Sequence, residues 1–276
     1  MLDSHMLAMA SKSKFAKLFN KAYRMLITPV IKKNKYEVVR TQEDDYVNTH
    51  LGIPRELTPF ISFGTDTILF HPSPEVRKEF REKHGISQNA FTVVYTGKLT
   101  EAKNGMLLAE AFKKKFNHEV TLICVGTPPD TEYGKAVKKL LEESQNQVIL
   151  FPTQNYQDLA QFYQAADLSV FPKQCSMSFY DAQACGLPVL SENNNVNVDR
   201  CSHGNGVNFE ADSVEDFRQQ MQSIMDMPQD AYNKMRDNAY DFVAKDYSYE
   251  KIAAEYTRGL ERAMNRYCEK KGNEKK

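Results

Sequence analysis

Several features that mark large classes of protein are scarce or missing in this sequence. It has no Trp, only 12 Gly and 11 Pro among 276 residues, and no net charge, because 36 basic side chains balance 36 acidic ones. These values exclude a collagen-like chain and a highly charged disordered one. No stretch reaches the ~18 uninterrupted apolar residues of a membrane span. The balanced charge also argues against a nucleic-acid partner, which leaves a folded protein of one large or two smaller domains.

Cysteine is also infrequent, and its spacing fits no known metal or redox frame. No two of the five cysteines have the two-residue spacing of a zinc or redox site, and Cys175, Cys185, Cys201 and His203 form the nearest ligand set. Cys124 and Cys185 are predicted to be small buried apolar side chains. This usage favours a reducing, cytoplasmic compartment.

After Gly64, short apolar runs alternate with helical patterns. The predicted strands cover 91–96, 120–125, 148–151, 168–171 and 188–190, and the predicted helices cover 105–116, 135–143, 157–165, 178–185, 214–225, 231–245 and 249–267. This alternation predicts an α/β fold, a Rossmann-like parallel sheet with helices on both faces, plus extra N- and C-terminal helices. Ligands of such sheets bind beyond the carboxyl ends of the strands, at the point where the strand order reverses.

The turn after the first strand of this sheet is the first candidate site. Gly97, Lys98, Lys103 and Gly105 lie there, just before a predicted helix. Backbone amides, the helix dipole and two ammonium groups would converge on an anion at such a place. The turn matches neither the dinucleotide fingerprint nor a Walker loop. A solvated turn is the alternative interpretation.

The second candidate lies between the fourth and fifth strands, at 171–189. A polar loop with Lys173, Ser176 and Met177 leads into a short helix, for which Ser176 or Ser178 is the expected N-cap. Asp181 lies in the first turn of that helix. Its carboxylate either complements the helix dipole or accepts a hydrogen bond from a sugar hydroxyl.

Taken in order, these segments resemble the C-terminal, nucleotide-sugar-binding domain of retaining glycosyltransferases with the GT-B fold, the group 1 (family 4) enzymes. The match runs from about residue 36 to residue 260. Its motifs are Phe63-Gly64-Thr65-Asp66, Phe70-His71-Pro72, Gly97-Lys98-Leu99 with Lys103, Val125-Gly126, Phe162-Tyr163-Gln164-Ala165-Ala166-Asp167, Phe171-Pro172 and Asp181-Ala182-Gln183-Ala184-Cys185-Gly186-Leu187-Pro188-Val189.

The resemblance implies a role for each candidate residue that matches it. The basic pair that neutralises the donor diphosphate falls on Lys98, where Arg is usual, and on Lys103. The acid that binds the nucleotide ribose falls on Asp181, where Glu is usual. The base-recognition loop falls on Leu150, Phe151 and Pro152, largely through backbone groups.

One family position departs from the pattern. An acid that contacts the donor hexose normally stands eight residues before the ribose acid, and this sequence has Lys173 there. The following stretch is also altered, to Cys175-Ser176-Met177. Hexose recognition is therefore expected to be remodelled or lost. Lys173 either approaches an acidic sugar or the phosphate, or is a surface lysine on a drifted loop.

The implied function is the donor-binding portion of a glycosyltransferase. It would transfer a hexose from a nucleotide-diphosphate sugar to a glycan or lipid-linked acceptor, with retention, in the assembly of a surface polysaccharide. No Asp-x-Asp motif occurs, so lysines and a helix N-terminus are expected to stabilise the leaving diphosphate without a metal or other cofactor. Two alternatives stay open: a degenerate, non-catalytic sugar-nucleotide-binding or interaction module, and a GT-B sugar-nucleotide epimerase.

The expected domain organisation is uneven. Residues 1–57 are interpreted as the remnant of an N-terminal acceptor domain, 58–247 as the nucleotide-sugar-binding domain, and 248–276 as a C-terminal helix and charged tail. Because a complete enzyme of this fold has a full N-terminal domain, the chain is expected to be incomplete and inactive alone.

Residues 11–40 form a basic segment with nine Lys or Arg side chains and one acid, Glu37. Apolar residues recur there at three- and four-residue steps, which predicts an amphipathic helix that ends or kinks at Pro29: Phe15, Leu18, Phe19, Ala22, Met25 and Leu26. Such a segment fits peripheral contact with an anionic membrane or a lipid-linked acceptor. An ordinary helix that packs its apolar face on the domain is the alternative.

Overall fold

The computed structural model of the protein describes residues 2–4, 13–41, 45–173 and 175–274. Lys12 of the predicted basic segment and Gln174 of the predicted loop lie outside these residues. The chain divides into two compact units, one formed by Met1–Gly64 with Tyr249–Lys276 and the other by Thr65–Ser248.

Within the described residues, strands and helices alternate through the middle of the chain. The strands are β1 (Leu2–Ser4), β2 (Val38–Arg40), β3 (Phe91–Thr96), β4 (Val120–Val125), β5 (Gln147–Phe151), β6 (Leu168–Phe171), β7 (Val189–Glu192) and β8 (Gly206–Phe209). The α-helices are α1 (Lys14–Leu26), α2 (Thr28–Asn34), α3 (Tyr46–Thr49), α4 (Pro74–Lys83), α5 (Gly105–Lys113), α6 (Glu132–Glu142), α7 (Ala160–Ala165), α8 (Ser178–Ala184), α9 (Asn195–Arg200), α10 (Val214–Met225), α11 (Gln229–Asp246) and α12 (Tyr249–Glu274).

The unit Thr65–Ser248 is built on a six-stranded parallel sheet with the order β5-β4-β3-β6-β7-β8. Short runs of β-branched and aromatic residues form its central strands, and every residue of β4 is buried. The order reverses between β3 and β6, which pair at Val93 with Leu168 and at Val94 with Ser169. The predicted Rossmann-like fold is confirmed.

Helices cover both faces of this sheet. On one face, Phe112 of α5, Val137 of α6 and Phe217 of α10 pack into a core with Leu122 of β4 and Val170 of β6. Among the helices outside this core, α4 meets α7 through the rings of Phe80 and Phe162, and α8 meets α11 through Phe179 and Phe242.

Three elements of this unit escape the sequence prediction: α4, β8 and α9. The sequence of α9, Asn195–Arg200, is largely polar, so its periodicity is hidden. Two of its buried residues are polar, Asn197 and Arg200, which are satisfied by hydrogen bonds to neighbouring backbone. The spacing of apolar residues in the sequence therefore does not reveal this helix.

The other unit joins the two ends of the described chain. β1 and β2 pair in parallel, and α1 ends just before α2, whose first turn contains Pro29, so the predicted helix end is confirmed. Ile31, Val38 and Tyr46 belong to its core. In the described residues no helix is both long enough and apolar enough to cross a bilayer.

The orientation of α1 differs from one of the two interpretations of its sequence. Its apolar face does not pack on the protein, because Phe15, Leu18, Met25 and Leu26 are exposed. Asn20 is buried instead. The interpretation as a helix that packs its apolar face on the domain is therefore wrong.

Candidate functional site

The loops after β3 and β4 meet backbone to backbone at the carboxyl edge of the sheet. The Gly97 amide donates to the Val125 carbonyl at 2.9 Å, and the Gly126 amide donates to the Phe151 carbonyl at 3.0 Å. A Cβ atom added to Gly126 would lie 2.0 Å from the Gly97 carbonyl oxygen. Only glycine permits this approach, so the contact fixes the positions of three neighbouring loops.

The first candidate turn carries two lysines that form no ion pair within the described residues. Lys98 is exposed, and Lys103 is half-buried at the end of a short 3₁₀ helix that leads into α5. The Lys98 carbonyl accepts a hydrogen bond from the Tyr95 hydroxyl at 2.9 Å, which holds the turn against β3. Among the described residues, neither ammonium group has a carboxylate partner. Both charges remain available to an anion.

The start of α5 contributes less to an anion site than the sequence predicts. The Gly105 amide donates to the Thr100 carbonyl at 3.2 Å, and the Met106 amide donates to the Tyr133 hydroxyl at 2.9 Å. Because these two donors are already used inside the protein, the lysines are the stronger source of positive potential in this turn.

Asp181 is buried in the second candidate region, where it is 4% exposed. Its Oδ1 atom accepts hydrogen bonds from the Thr65 hydroxyl at 2.5 Å and the Tyr156 hydroxyl at 3.2 Å. Burial raises the pKa of Asp181 to about 6, although the two hydrogen bonds oppose this shift. Tyr156 is 41% exposed, so it is the more accessible member of the pair.

Lys173 is held by two carboxylates rather than directed at an open site. Its Nζ atom lies 2.7 Å from Glu192 Oε1 and 3.0 Å from Asp212 Oδ1, and Asp212 also accepts from Asn104 at 2.9 Å. Burial alone would lower the pKa of Lys173, but the contacts with Glu192 and Asp212 raise it overall. The ammonium group of Lys173 is thus engaged in two ion pairs.

The altered stretch after Lys173 is anchored by α9. The Cys175 amide donates to Asn197 Oδ1 at 3.0 Å, and Asn197 Nδ2 donates to the Glu192 carbonyl at 2.7 Å. The predicted serine cap is wrong, because Met177 is the N-cap residue of α8 and no side chain caps that helix. The Ser176 and Ser178 hydroxyls lie 2.5 Å apart instead.

Phe151 and Pro152 line a cleft of about 420 Å³ after β4 and β5. The loop 126–130 and the lysines Lys135 and Lys138 complete its walls. The Phe151 ring is engaged in packing with Phe162, at 4.8 Å between centroids, and with His84, at 5.1 Å. The backbone of Phe151, rather than its ring, is therefore the part suited to recognise a ligand in this cleft.

Hydrogen bonds link several loops at the carboxyl edge of the sheet, and Lys173 is the predicted residue that takes part in them. Asn104 and Lys173 share Asp212, which connects the loops after β3, β6 and β8. The Thr96 and Tyr163 hydroxyls lie 2.6 Å apart, which ties the end of β3 to α7. The described residues contain no group of three His, Cys, Asp or Glu side chains that could hold a metal ion.

Four residues at this edge were not predicted to contact the candidate residues: Thr65, Tyr156, Glu192 and Asp212. For one of these residues, Glu192, the sequence contained an indication of the contact. Glu192 ends β7, the neighbour of β6, and Lys173 comes two residues after β6, so their pairing follows from the strand order. Thr65 is 116 positions from Asp181, and nothing in the local pattern connects the two.

A parallel sheet whose strand order reverses between β3 and β6, with charged loops at its carboxyl edge, is typical of a Rossmann-like ligand-binding domain. The sequence model of the family described as "Glycosyl transferases group 1" matches residues 76–242, which is more than half of the chain. The chain belongs to this family, and the resemblance found in the sequence is confirmed.

Curated relatives are distant but consistent in class. A probable sucrose-phosphate synthase of Thermosipho melanesiensis is 23% identical over 284 residues, which cover 94% of this chain and 63% of that protein. The lipopolysaccharide 1,2-N-acetylglucosaminetransferase of Salmonella typhimurium is 27% identical over 141 residues, which cover 47% of this chain and 36% of that protein. The chain thus spans less than two thirds of the length of either relative.

Solved structures share the fold. Sucrose-phosphate synthase from Thermosynechococcus elongatus superimposes with a TM-score of 0.75 at 17% identity, over 95% of this chain and 67% of that one. Anabaena HepE in complex with UDP and glucose gives a TM-score of 0.68 at 18% identity, over 88% of this chain and 76% of that one. Such neighbours confirm the GT-B type of architecture.

Proposed function

We propose that this chain is the donor-binding portion of a glycosyltransferase that takes a nucleotide-diphosphate sugar as donor. The acceptor is a glycan or a lipid-linked sugar, and transfer proceeds with retention and without a metal. Family membership supports the reaction class, and the neighbouring HepE structure with UDP and glucose supports a nucleoside diphosphate as part of the donor.

The contrast among the three candidate lysines carries this proposal. Lys173 is neutralised by Glu192 and Asp212, whereas Lys98 and Lys103 form no ion pair within the described residues. Two ammonium groups in one turn that are not engaged in ion pairs, at the point where the strand order reverses, are suited to a diphosphate. In the transition state they would stabilise the charge that develops on the departing diphosphate.

The remaining parts of a nucleotide find places along the same edge. We assign the base to the cleft beside Phe151 and Pro152, and its volume of about 420 Å³ supports this assignment. For the ribose, Asp181 acts with Tyr156. The Tyr156 hydroxyl donates to Asp181 at 3.2 Å, and with 41% of its surface exposed Tyr156 is accessible to a ribose. Asp181 thus positions Tyr156 and sets the direction of its hydrogen bond.

Calorimetric titration with UDP, ADP and GDP tests the donor site. At least one nucleotide should bind, and Lys103→Ala should weaken it about tenfold, because one charge-assisted contact is lost. Lys113→Ala is the matched control, since this exposed lysine ends the same helix that Lys103 precedes. Absence of any binding, or equal loss in both variants, would contradict the proposal.

The ion-paired Lys173 favours a second candidate, a non-catalytic sugar-nucleotide-binding module. Lys173 replaces the acid that the family uses for the hexose, and Glu192 and Asp212 hold it in place. If the hexose is not recognised, UDP and UDP-glucose should bind with equal affinity, and the sugar should not be released. A tighter complex with the sugar nucleotide would favour the transferase.

A further inference from the structure

Helix α1 packs on its own unit through its polar side. Asn20 is buried and accepts a hydrogen bond from the Tyr46 hydroxyl at 2.8 Å, and Tyr23 packs against the apolar core of this unit. Arg24 packs over Gly52. These contacts on two successive turns fix the rotation of the helix about its axis.

The opposite side of the helix is apolar and open. At 100° per residue, six residues cover about a third of the circumference, and they define the α1 patch: Phe15, Leu18, Phe19, Ala22, Met25 and Leu26. Phe15 is 80% exposed, Leu18 66% and Met25 65%. Val30, in the following helix α2, is exposed as well. A contiguous apolar surface of this kind marks an interaction site.

The charges that α1 and α2 carry have one sign. Lys14, Lys17 and Lys21 lie along one border of the patch and are exposed. Neither α1 nor α2 contains an acidic residue. Glu37, the nearest acid that follows in the sequence, is buried and paired with Arg262 and Arg266. A partner that complements this surface therefore offers an apolar region for the patch and negative charge for the lysines beside it.

We infer that the α1 patch, with its three lysines, docks the protein on an anionic lipid bilayer. The apolar side chains would enter the boundary between headgroups and acyl chains, while the ammonium groups contact lipid phosphates. With 13 residues, α1 is too short to cross the bilayer and lies in its plane. A second copy of the chain fits less well, because a symmetric contact would bring the same lysines together.

Co-sedimentation of the chain with lipid vesicles tests this inference. Vesicles of phosphatidylglycerol and phosphatidylcholine should bind it, phosphatidylcholine alone should bind it weakly, and added salt should weaken the anionic case. Leu18→Gln with Met25→Gln should lower the partition coefficient at least tenfold. Lys14→Gln, Lys17→Gln and Lys21→Gln together should lower it about a hundredfold on anionic vesicles.

Ile68→Gln is the matched control, because Ile68 is also 80% exposed but lies outside the patch, in the other unit. It should bind vesicles as the parent chain does, and all variants should keep the same thermal unfolding and the same nucleotide affinity. Absence of sedimentation with anionic vesicles would overturn the inference. So would an unchanged partition of the Leu18→Gln/Met25→Gln variant, or a dimer that this variant dissociates. Failure of the donor site would appear only in the nucleotide titration.

Discussion

At the scale of single residues, burial determines what Asp181 can do. Its carboxylate is almost inaccessible to water and receives two hydroxyl donors on one oxygen. The pKa of about 6 means that the group takes up a proton well above the usual 3.8. Between those two values the folded state binds more protons than the unfolded state, so stability falls as pH rises through this window.

Asp181→Asn should remove this pH dependence. The parent chain should lose on the order of 3 kcal/mol of unfolding free energy between about pH 4 and pH 7 from this group. The amide variant should not, because its side chain carries no charge while its oxygen still accepts from Thr65 and Tyr156. Urea unfolding at several pH values, followed by hydrogen exchange in β6 and β7, measures the difference. Asp130→Asn, at an exposed aspartate, should follow the parent profile, and parallel profiles for Asp181→Asn would refute the role of burial.

At the scale of elements, the approach of the loops after β3 and β4 depends on one missing side chain. Gly126 has a φ of +148° and its α-carbon faces the Gly97 carbonyl. Any side chain at position 126 would push apart the two loops that carry Lys98 and the cleft beside Phe151. The geometry of the site and the stability of the two loops therefore both depend on the contact between Gly126 and Gly97.

Gly126→Ala should lower stability by about 2 kcal/mol or more and abolish tight nucleotide binding, because the added Cβ must displace backbone. Gly85→Ala is the control. Gly85 also has a positive φ of +63°, but nothing lies within 4 Å of its added Cβ, so only the backbone cost of about 1 kcal/mol applies. Thermal unfolding and UDP titration of both variants check this. Retained nucleotide affinity in Gly126→Ala would show that the contact does not shape the site.

The same scale shows where sequence reasoning succeeds. β3, β4 and β6 were predicted to the residue, because fully buried parallel strands are continuous apolar runs. The loop with Lys98 and Lys103 was predicted as a positively charged turn because its position follows from the strand. The partners of Asp181, and Asp212 as a partner of Lys173, were not predicted, since they come from distant segments that the sheet brings together. The sequence left the orientation of α1 open between two interpretations, because a helical pattern does not tell which face is covered.

At the scale of the whole molecule, the neutral total charge hides an uneven distribution. Residues 1–40 hold nine basic and two acidic side chains, a balance of +7, so the remaining 236 residues carry −7. The excess positive charge belongs to the unit that joins the two ends of the chain. In that unit the buried Glu37 receives Arg262 at 3.4 Å and Arg266 at 3.0 Å, across more than 200 positions of sequence. One carboxylate thus connects α12 to the segment before β2.

Removing both arginines should lower the stability of this unit more than removing the Glu37 carboxylate. Arg262→Met with Arg266→Met leaves the buried Glu37 carboxylate without compensation, which should cost about 2 kcal/mol or more in that unit. Glu37→Gln should cost less, because both arginines are half-exposed and remain solvated. Arg258→Met, at an exposed position of α12, is the control for loss of a cationic side chain. Hydrogen exchange in β2 and α12 should report the loss, while nucleotide affinity of the other unit stays unchanged. Equal destabilisation by Glu37→Gln and by the double arginine variant would contradict this prediction. It would mean that an unpaired, buried Glu37 carboxylate is not the cause of the loss of stability.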